Sequence, residues 1–203
     1  MGIFKLSDLA ALPEFKFKGE RTYIHGTDLF LSVSEFLGQR KVGYLKELSF
    51  RLFGNKQCAI QFSLPDSSSV RVISQGRWHD IEDEVDVKFW VVEQEDCVSE
   101  RYEFNEDALC SGAEIDEEKI LWEFNLAFSM IENIVALTKK FHNAKLPLTA
   151  GKWVFGQIVL NERLPERCDR IKIENYQNIK DRFSRNRIVL DGKHVGEIRF
   201  IVS

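Results

Sequence analysis

Residues 129–142 read SMIENIVALTKKFH. Ile131, Ile134, Val135 and Thr138 recur at intervals of three and four, the period of an amphipathic helix. Followed towards the N-terminus, the same period takes in Ile120, Leu121, Phe124, Ala127 and Phe128. The pattern therefore predicts one long helix from about Asp116 to His142. Asp116, Glu117 and Glu118 would fill its first turn, and Lys139, Lys140 and His142 its last. Both placements suit the helix dipole. Glu132 and Asn133 are polar residues inside this otherwise core-building stretch. Glu132 has two readings, a carboxylate held over a substrate or a solvated residue at the edge of the apolar face. The nearby Asn125 and Ser129 fit a polar strip.

Around that helix the chain reads as strands. After it come KWVFGQIVLNERL, RIKIENYQNI and RNRIVLDGKHVGEIRFIVS, with Asp191-Gly192 as a two-residue hairpin signal in the last. Before it, YLKELSFRLF stops at Gly54-Asn55 and QCAIQFSL stops at Pro65-Asp66. SVRVISQGRW and EVDVKFWVVEQ follow, and ERYEFN reads as one more short strand. In EVDVKFWVVEQ, Val85, Val87, Phe89 and Val91 share one face and Asp86, Lys88 and Trp90 the other, which predicts a half-buried antiparallel strand. EFKFKGERTYIHG also alternates as a strand, and residues 4–12, FKLSDLAAL, read as a short helix stopped by Pro13. TDLFLSVSEFLG is ambiguous: Thr27 could cap a helix ending at Gly38, but Leu31, Val33 and Phe36 do not settle the period. The order of strand, helix and strands occurs in each half without a sequence repeat. An apolar helix stripe laid on an antiparallel sheet gives an α+β fold, with units expected at 1–97 and 98–203.

Composition narrows the function. The chain has 203 residues, 44% hydrophobic and 30% charged, with a formal net charge of -4, so no basic surface for nucleic acid is expected. Sixteen phenylalanines predict a ring-rich core or an apolar pocket. Cys58, Cys97, Cys110 and Cys168 stand singly, with no zinc spacing, and read as reduced thiols of a cytoplasmic protein. MGIFKLSDLAALPEF lacks the apolar core of a signal peptide, and no run approaches the roughly 18 apolar residues that would span a membrane. Phosphate loops, the GxSxG elbow and the HExxH zinc motif are absent, and no cofactor or metal is expected. HDIEDEVD, residues 79–86, has acids without the glycine spacing of a calcium loop and reads as solvated.

SMIENIVAL resembles the central-helix segment of β-hydroxyacyl-ACP dehydratases of the hotdog superfamily, in which a catalytic Glu follows an apolar residue. FGQIVLNERLPERCDRIKIENYQNI and RIVLDGKHVGEI are similar to the strands after that helix. The resemblance covers most of 101–203 and only loosely 15–94, where LKELSFRLFGNKQCAIQFS would begin the sheet of a second, trimmed copy. It implies a long central helix wrapped by an antiparallel sheet, in two fused copies. It also implies fatty-acid or polyketide chemistry on an acyl group carried by acyl carrier protein or coenzyme A. Such units pair side by side, so two copies could serve one site, and a homodimer is a further arrangement. The family's His-x-x-Gly loop is missing before the central helix. The nearest histidine is His25, in TYIHGTD.

The resemblance thus makes His25 and Glu132 the catalytic pair of a dehydratase. A thioesterase, which also uses a helix carboxylate, is the near alternative. Dehydration needs a base for the Cα proton and an acid for the departing hydroxyl, and a histidine with a carboxylate suits both tasks. Gly26 would allow close backbone approach, and Thr27 or Asp28 could cap a helix aimed at the thioester oxygen. Phe124, Phe128, Phe155 and Asn133 would line the substrate site. Arg163, Arg167, Arg170 and Lys172, or Lys180, Arg182, Arg185 and Arg187, could form a basic rim for an acidic carrier. The opposing reading is a tandem hotdog without catalysis that binds an acyl chain or a protein partner. In that reading His25 is an ordinary hydrogen-bonded residue, Asp28 only a cap, and the phenylalanines core.

Overall fold

In each of two units, apolar residues at alternate positions lay down antiparallel strands, and a long helix packs against them. The structure, a computed structural model, describes residues 9–66 and 70–203. It divides into units Met1–Phe104 and Asn105–Ser203. In the first, β1 (Leu9–Ala11), β2 (Phe17–Lys18), α1 (Gly26–Gly38), β3 (Gly43–Phe50), β4 (Lys56–Gln61), β5 (Val72–Asp80), β6 (Val85–Cys97) and β7 (Arg101–Tyr102) follow along the chain. Antiparallel pairing sets the order β1-β4-β6-β5-β3. β2 and β7 form a separate parallel pair.

Helix α1 packs against β3. Leu29, Phe30, Val33, Phe36 and Leu37 form its buried stripe, spaced by three and four. Each such side chain taken out of water contributes roughly 1.5–3 kcal/mol. Opposite, Gly76 lets strands close up: a Cβ there would stand 2.4 Å from the Glu47 carbonyl oxygen and 2.4 Å from Phe89 Cζ.

Three readings of this half change. Leu9–Ala11 is a strand paired with β4, not part of a helix, and residues 4–8 lie outside the described residues. EFKFKGERTYIHG is extended only at Phe17–Lys18, because Gly19 turns the chain at φ 56°. In β6, Phe89, Trp90, Val91 and Val92 are all buried, so the middle of that strand is covered on both faces rather than one. Charged residues on its flanks had masked this.

The second unit holds α2 (Glu106–Leu109), β8 (Glu114–Ile115), β9 (Lys119–Glu123), α3 (Met130–Lys145), β10 (Trp153–Leu160), β11 (Arg170–Ile179), β12 (Phe183–Leu190) and β13 (Lys193–Val202). Its antiparallel order is β10-β13-β12-β11-β9-β8. Asp191 and Gly192, at φ 48° and 84°, make the tight turn joining β12 to β13. α3 lies against β9, β10 and β11.

The helix expected from Asp116 to His142 is therefore helical only from Met130. The Asp116 carboxylate accepts the backbone N–H groups of Glu118 and Lys119, both at 3.0 Å, and so turns β8 into β9. A helix cap would use the same acceptor, and the two cannot be told apart from residue types alone. KILWE then pairs with β11, setting buried Ile120 opposite Ile173. Phe124, Ala127 and Phe128 fall in the loop before α3. Among the described residues no helix is long and apolar enough to cross a membrane.

Candidate functional site

The polar groups of interest gather at the N-terminal ends of α1 and α3, one set per unit. In the first unit His25 is the N-cap of α1, with extended backbone (φ -72°, ψ 141°). Its carbonyl accepts from Asp28 N at 3.0 Å and Leu29 N at 3.1 Å. Thr27, expected as the cap, is instead the second helical residue and is buried. Its hydroxyl is taken up elsewhere: Oγ1 lies 2.7 Å from His25 Nδ1, 3.0 Å from Lys18 Nζ and 3.1 Å from Asp28 Oδ1. Gly26, between His25 and Thr27, opens the helix and is half-buried.

Lys18 is the unexpected member, since its side chain is 0% exposed. A buried ammonium needs compensation. It donates to Asp28 Oδ1 at 3.0 Å and stands 4.1 Å from the centre of the Phe104 ring. Asp28 accepts on its other oxygen from Tyr102 Oη at 2.7 Å. The parallel pairing of β2 with β7 brings Lys18 opposite Tyr102. Arg101, on β7, fastens the intervening turn by donating to the carbonyls of Gly19 and Arg21. Lys18, Tyr102 and Phe104 escape a sequence reading because alternation marks a strand lysine as solvated. Only the coincidence of Asp28 with Lys18 could have pointed to it.

In the second unit, Glu132 is the third residue of α3 and forms a capping box with Ser129. Its Oε2 accepts from Ser129 N at 2.8 Å and Ser129 Oγ at 2.7 Å, while Ser129 Oγ accepts from Glu132 N at 3.4 Å. The Glu132 side chain is half-buried. Asn133 is fully buried and spends its amide on the loop that enters the helix. It donates to the carbonyls of Asn125, Phe128 and Ser129 at 3.2, 3.3 and 3.0 Å and accepts from Asn125 N at 3.2 Å. Asn133 thus shapes the loop that presents half-buried Phe128.

Two further rings were expected at the substrate site. Phe155, on β10, stacks on Phe200 with ring centres 6.1 Å apart. Phe124 lines a groove of about 1180 Å³ with Leu126. The charged lining of that groove divides between Arg167, Arg170 and Lys172 and the acids Glu123, Asp169 and Asp191. The basic rim expected at 163–172 is therefore interleaved with carboxylates. Cys168 lies in the same groove, and burial, with help from Asp191, pushes its thiol up to about 11.

One further polar chain was not anticipated. His142 is fully buried on α3, with Nε2 2.7 Å from Ser184 Oγ. Asn186 donates to the same hydroxyl at 3.2 Å, and Asn175 donates to Asn186 Oδ1 at 2.9 Å. His142 Nδ1 has no partner among the described residues, and the rings of Phe141, Trp153 and Phe200 surround the imidazole. Burial pushes this histidine down to about 4, against a smaller opposing pull from Asn186. Its helix-end position had made it look like a solvated dipole partner. Sealed among rings, it is an interior group rather than one that meets substrate. Among the described residues no group of three His, Cys, Asp or Glu side chains is arranged to hold a metal ion.

No protein-family model and no curated protein matches the chain. Among solved structures it is similar to the erythromycin dehydratase, at 13% identity over 97% of this chain and 84% of that one, with a TM-score of 0.44. It is similar to a candidate thioesterase II from Thermobifida fusca, at 10% identity over 91% and 88% with a TM-score of 0.44. It is also similar to the tesB protein of Mycobacterium avium subs paratuberculosis, at 9% identity over 97% and 93% with a TM-score of 0.47. At these identities and TM-scores the likenesses assign no activity to this chain.

Proposed function

We propose that the two units are fused copies of one hotdog-like module and that the chain is an acyl-thioester enzyme, a β-hydroxyacyl-ACP or -CoA dehydratase. His25 and Glu132 are its acid–base pair. His25 takes the Cα proton on its imidazole. The electron pair forms the Cα–Cβ double bond, and the β-hydroxyl leaves as water with a proton from Glu132. The N-terminus of α1 supplies backbone donors for the charge that develops on the thioester oxygen. Gly26 gives that oxygen close approach, and Phe124, Phe128, Phe155 and Asn133 shape the acyl site. The observation that carries this reading is the clamp on His25: a buried lysine paired with half-buried Asp28 and a buried hydroxyl hold one imidazole at a helix N-terminus. So much buried polar structure is costly for a surface histidine with no task. A thioesterase would use Glu132 to activate water on the same frame.

A non-catalytic tandem that binds an acyl chain or a protein partner is favoured by one observation. Glu132 already has a structural task in the capping box. Hydration of a crotonyl thioester, on acyl carrier protein or coenzyme A, decides between them through loss of its ultraviolet absorbance. The enzyme reading expects turnover that falls about 100-fold or more in both His25→Ala and Glu132→Gln. Turnover unchanged in both variants, or none in the intact chain, leaves the binding reading.

A further inference from the structure

We propose that Lys18, Asp28 and Thr27 are positioning residues that fix His25 as its Nδ1–H tautomer and so place the basic lone pair on Nε2. The inference rests on the acid–base reading of His25 and names the atom that would do the work.

One oxygen, Thr27 Oγ1, decides the tautomer. A threonine hydroxyl has one hydrogen to give and two lone pairs to fill. Three groups surround Thr27 Oγ1, which is buried beyond the reach of competing water. The Lys18 ammonium, at 3.0 Å, can only donate, so it fills one lone pair. The Asp28 carboxylate oxygen, at 3.1 Å, can only accept, so it takes the hydrogen. One lone pair remains, and it faces His25 Nδ1 at 2.7 Å. That nitrogen must therefore carry hydrogen.

The outer groups lock this polarity. Lys18 binds Asp28 as well as Thr27, and Tyr102 holds the second carboxylate oxygen, so the carboxylate cannot swing away from Thr27. An unconstrained histidine side chain favours the opposite, Nε2–H form, so the clamp reverses an intrinsic preference. A histidine bonded through Nδ1–H presents its Nε2 lone pair in a fixed direction.

Long-range proton–nitrogen spectra of the full chain with ¹⁵N-labelled histidine test this at pH 8, with His25 assigned by its loss in His25→Gln. The expected result is an N–H-type shift at Nδ1 and a pyridine-type shift at Nε2. Thr27→Ser keeps that pattern, and Thr27→Val moves it to the Nε2–H form. An Nε2–H or doubly protonated ring in the unsubstituted protein overturns the proposal, and so does a Thr27→Val spectrum identical to the parent. Should Thr27→Val fail to fold, the parent spectrum decides alone. In the hydration assay Thr27→Val lowers kcat about 100-fold and Thr27→Ser only a few-fold. If the tautomer is as stated but the chain hydrates no enoyl thioester, the tautomer assignment stands and the acid–base reading falls. If turnover is present with an Nε2–H ring, the reverse holds.

Discussion

At the scale of the residue, the deepest commitment in the first unit is Lys18. Its ammonium is stable in the interior because Asp28, Thr27 and the face of Phe104 stand in for water. Removing one partner of a buried ion pair strands the other. Lys18→Met is expected to lower stability by about 3 kcal/mol, read as an earlier urea midpoint at unchanged slope. Lys18→Met with Asp28→Asn should recover part of that loss, because no lone charge remains. A Lys18→Met protein as stable as the parent would mean that the clamp carries no energetic weight. Thr27 and Asp28 were legible as cap types, but the period after them did not settle a helix, and His25 and Gly26 read as the end of a strand rather than as the helix start that they make. The role of Thr27 was not legible, since the lysine that claims its hydroxyl comes from a strand nine residues earlier.

At the scale of the element, α3 shows what periodicity can and cannot decide. Met130–Lys145 buries Ile131, Ile134, Val135, Leu137, Thr138 and Phe141, so the helix itself was readable from its spacing. Its start was not. Ile120, Leu121 and Phe124 continue the three-and-four period by chance, although Ile120 and Leu121 belong to a strand. The information that ends the helix lies in Ser129 and Glu132, a capping signature hidden inside an apolar run. Glu132 therefore has two separable tasks. Ser129→Ala removes the cap oxygen and should cost about 1 kcal/mol. Glu132→Gln keeps a side chain that can close the capping box, so its stability should stay within about 0.5 kcal/mol of the parent. If Glu132→Gln is as unstable as Ser129→Ala, any loss of turnover in it reflects the helix end rather than lost acid chemistry.

At the scale of the whole molecule, both units solve the same packing problem with one helix on an antiparallel sheet, and α+β was legible from the order of elements. The interior of the second unit also contains a titrating group. The folded pKa of His142, about 4, lies below its ordinary 6.5, so the unfolded chain binds the extra proton in that window. The stability this site contributes is complete above pH 6.5 and is lost as pH falls towards 4, on the order of 3 kcal/mol in all. His142→Gln should flatten the change in urea midpoint between pH 7 and pH 4, and an unchanged slope would place the acid sensitivity elsewhere.

The central claim, that His25 and Glu132 act on one acyl thioester as a pair, is tested most directly by a double-mutant cycle on crotonyl thioester hydration. Groups that serve one transition state are non-additive when removed. His25→Ala with Glu132→Gln is expected to lose no more than the worse single variant. Losses that multiply, with each substitution acting as if the other were absent, would contradict it.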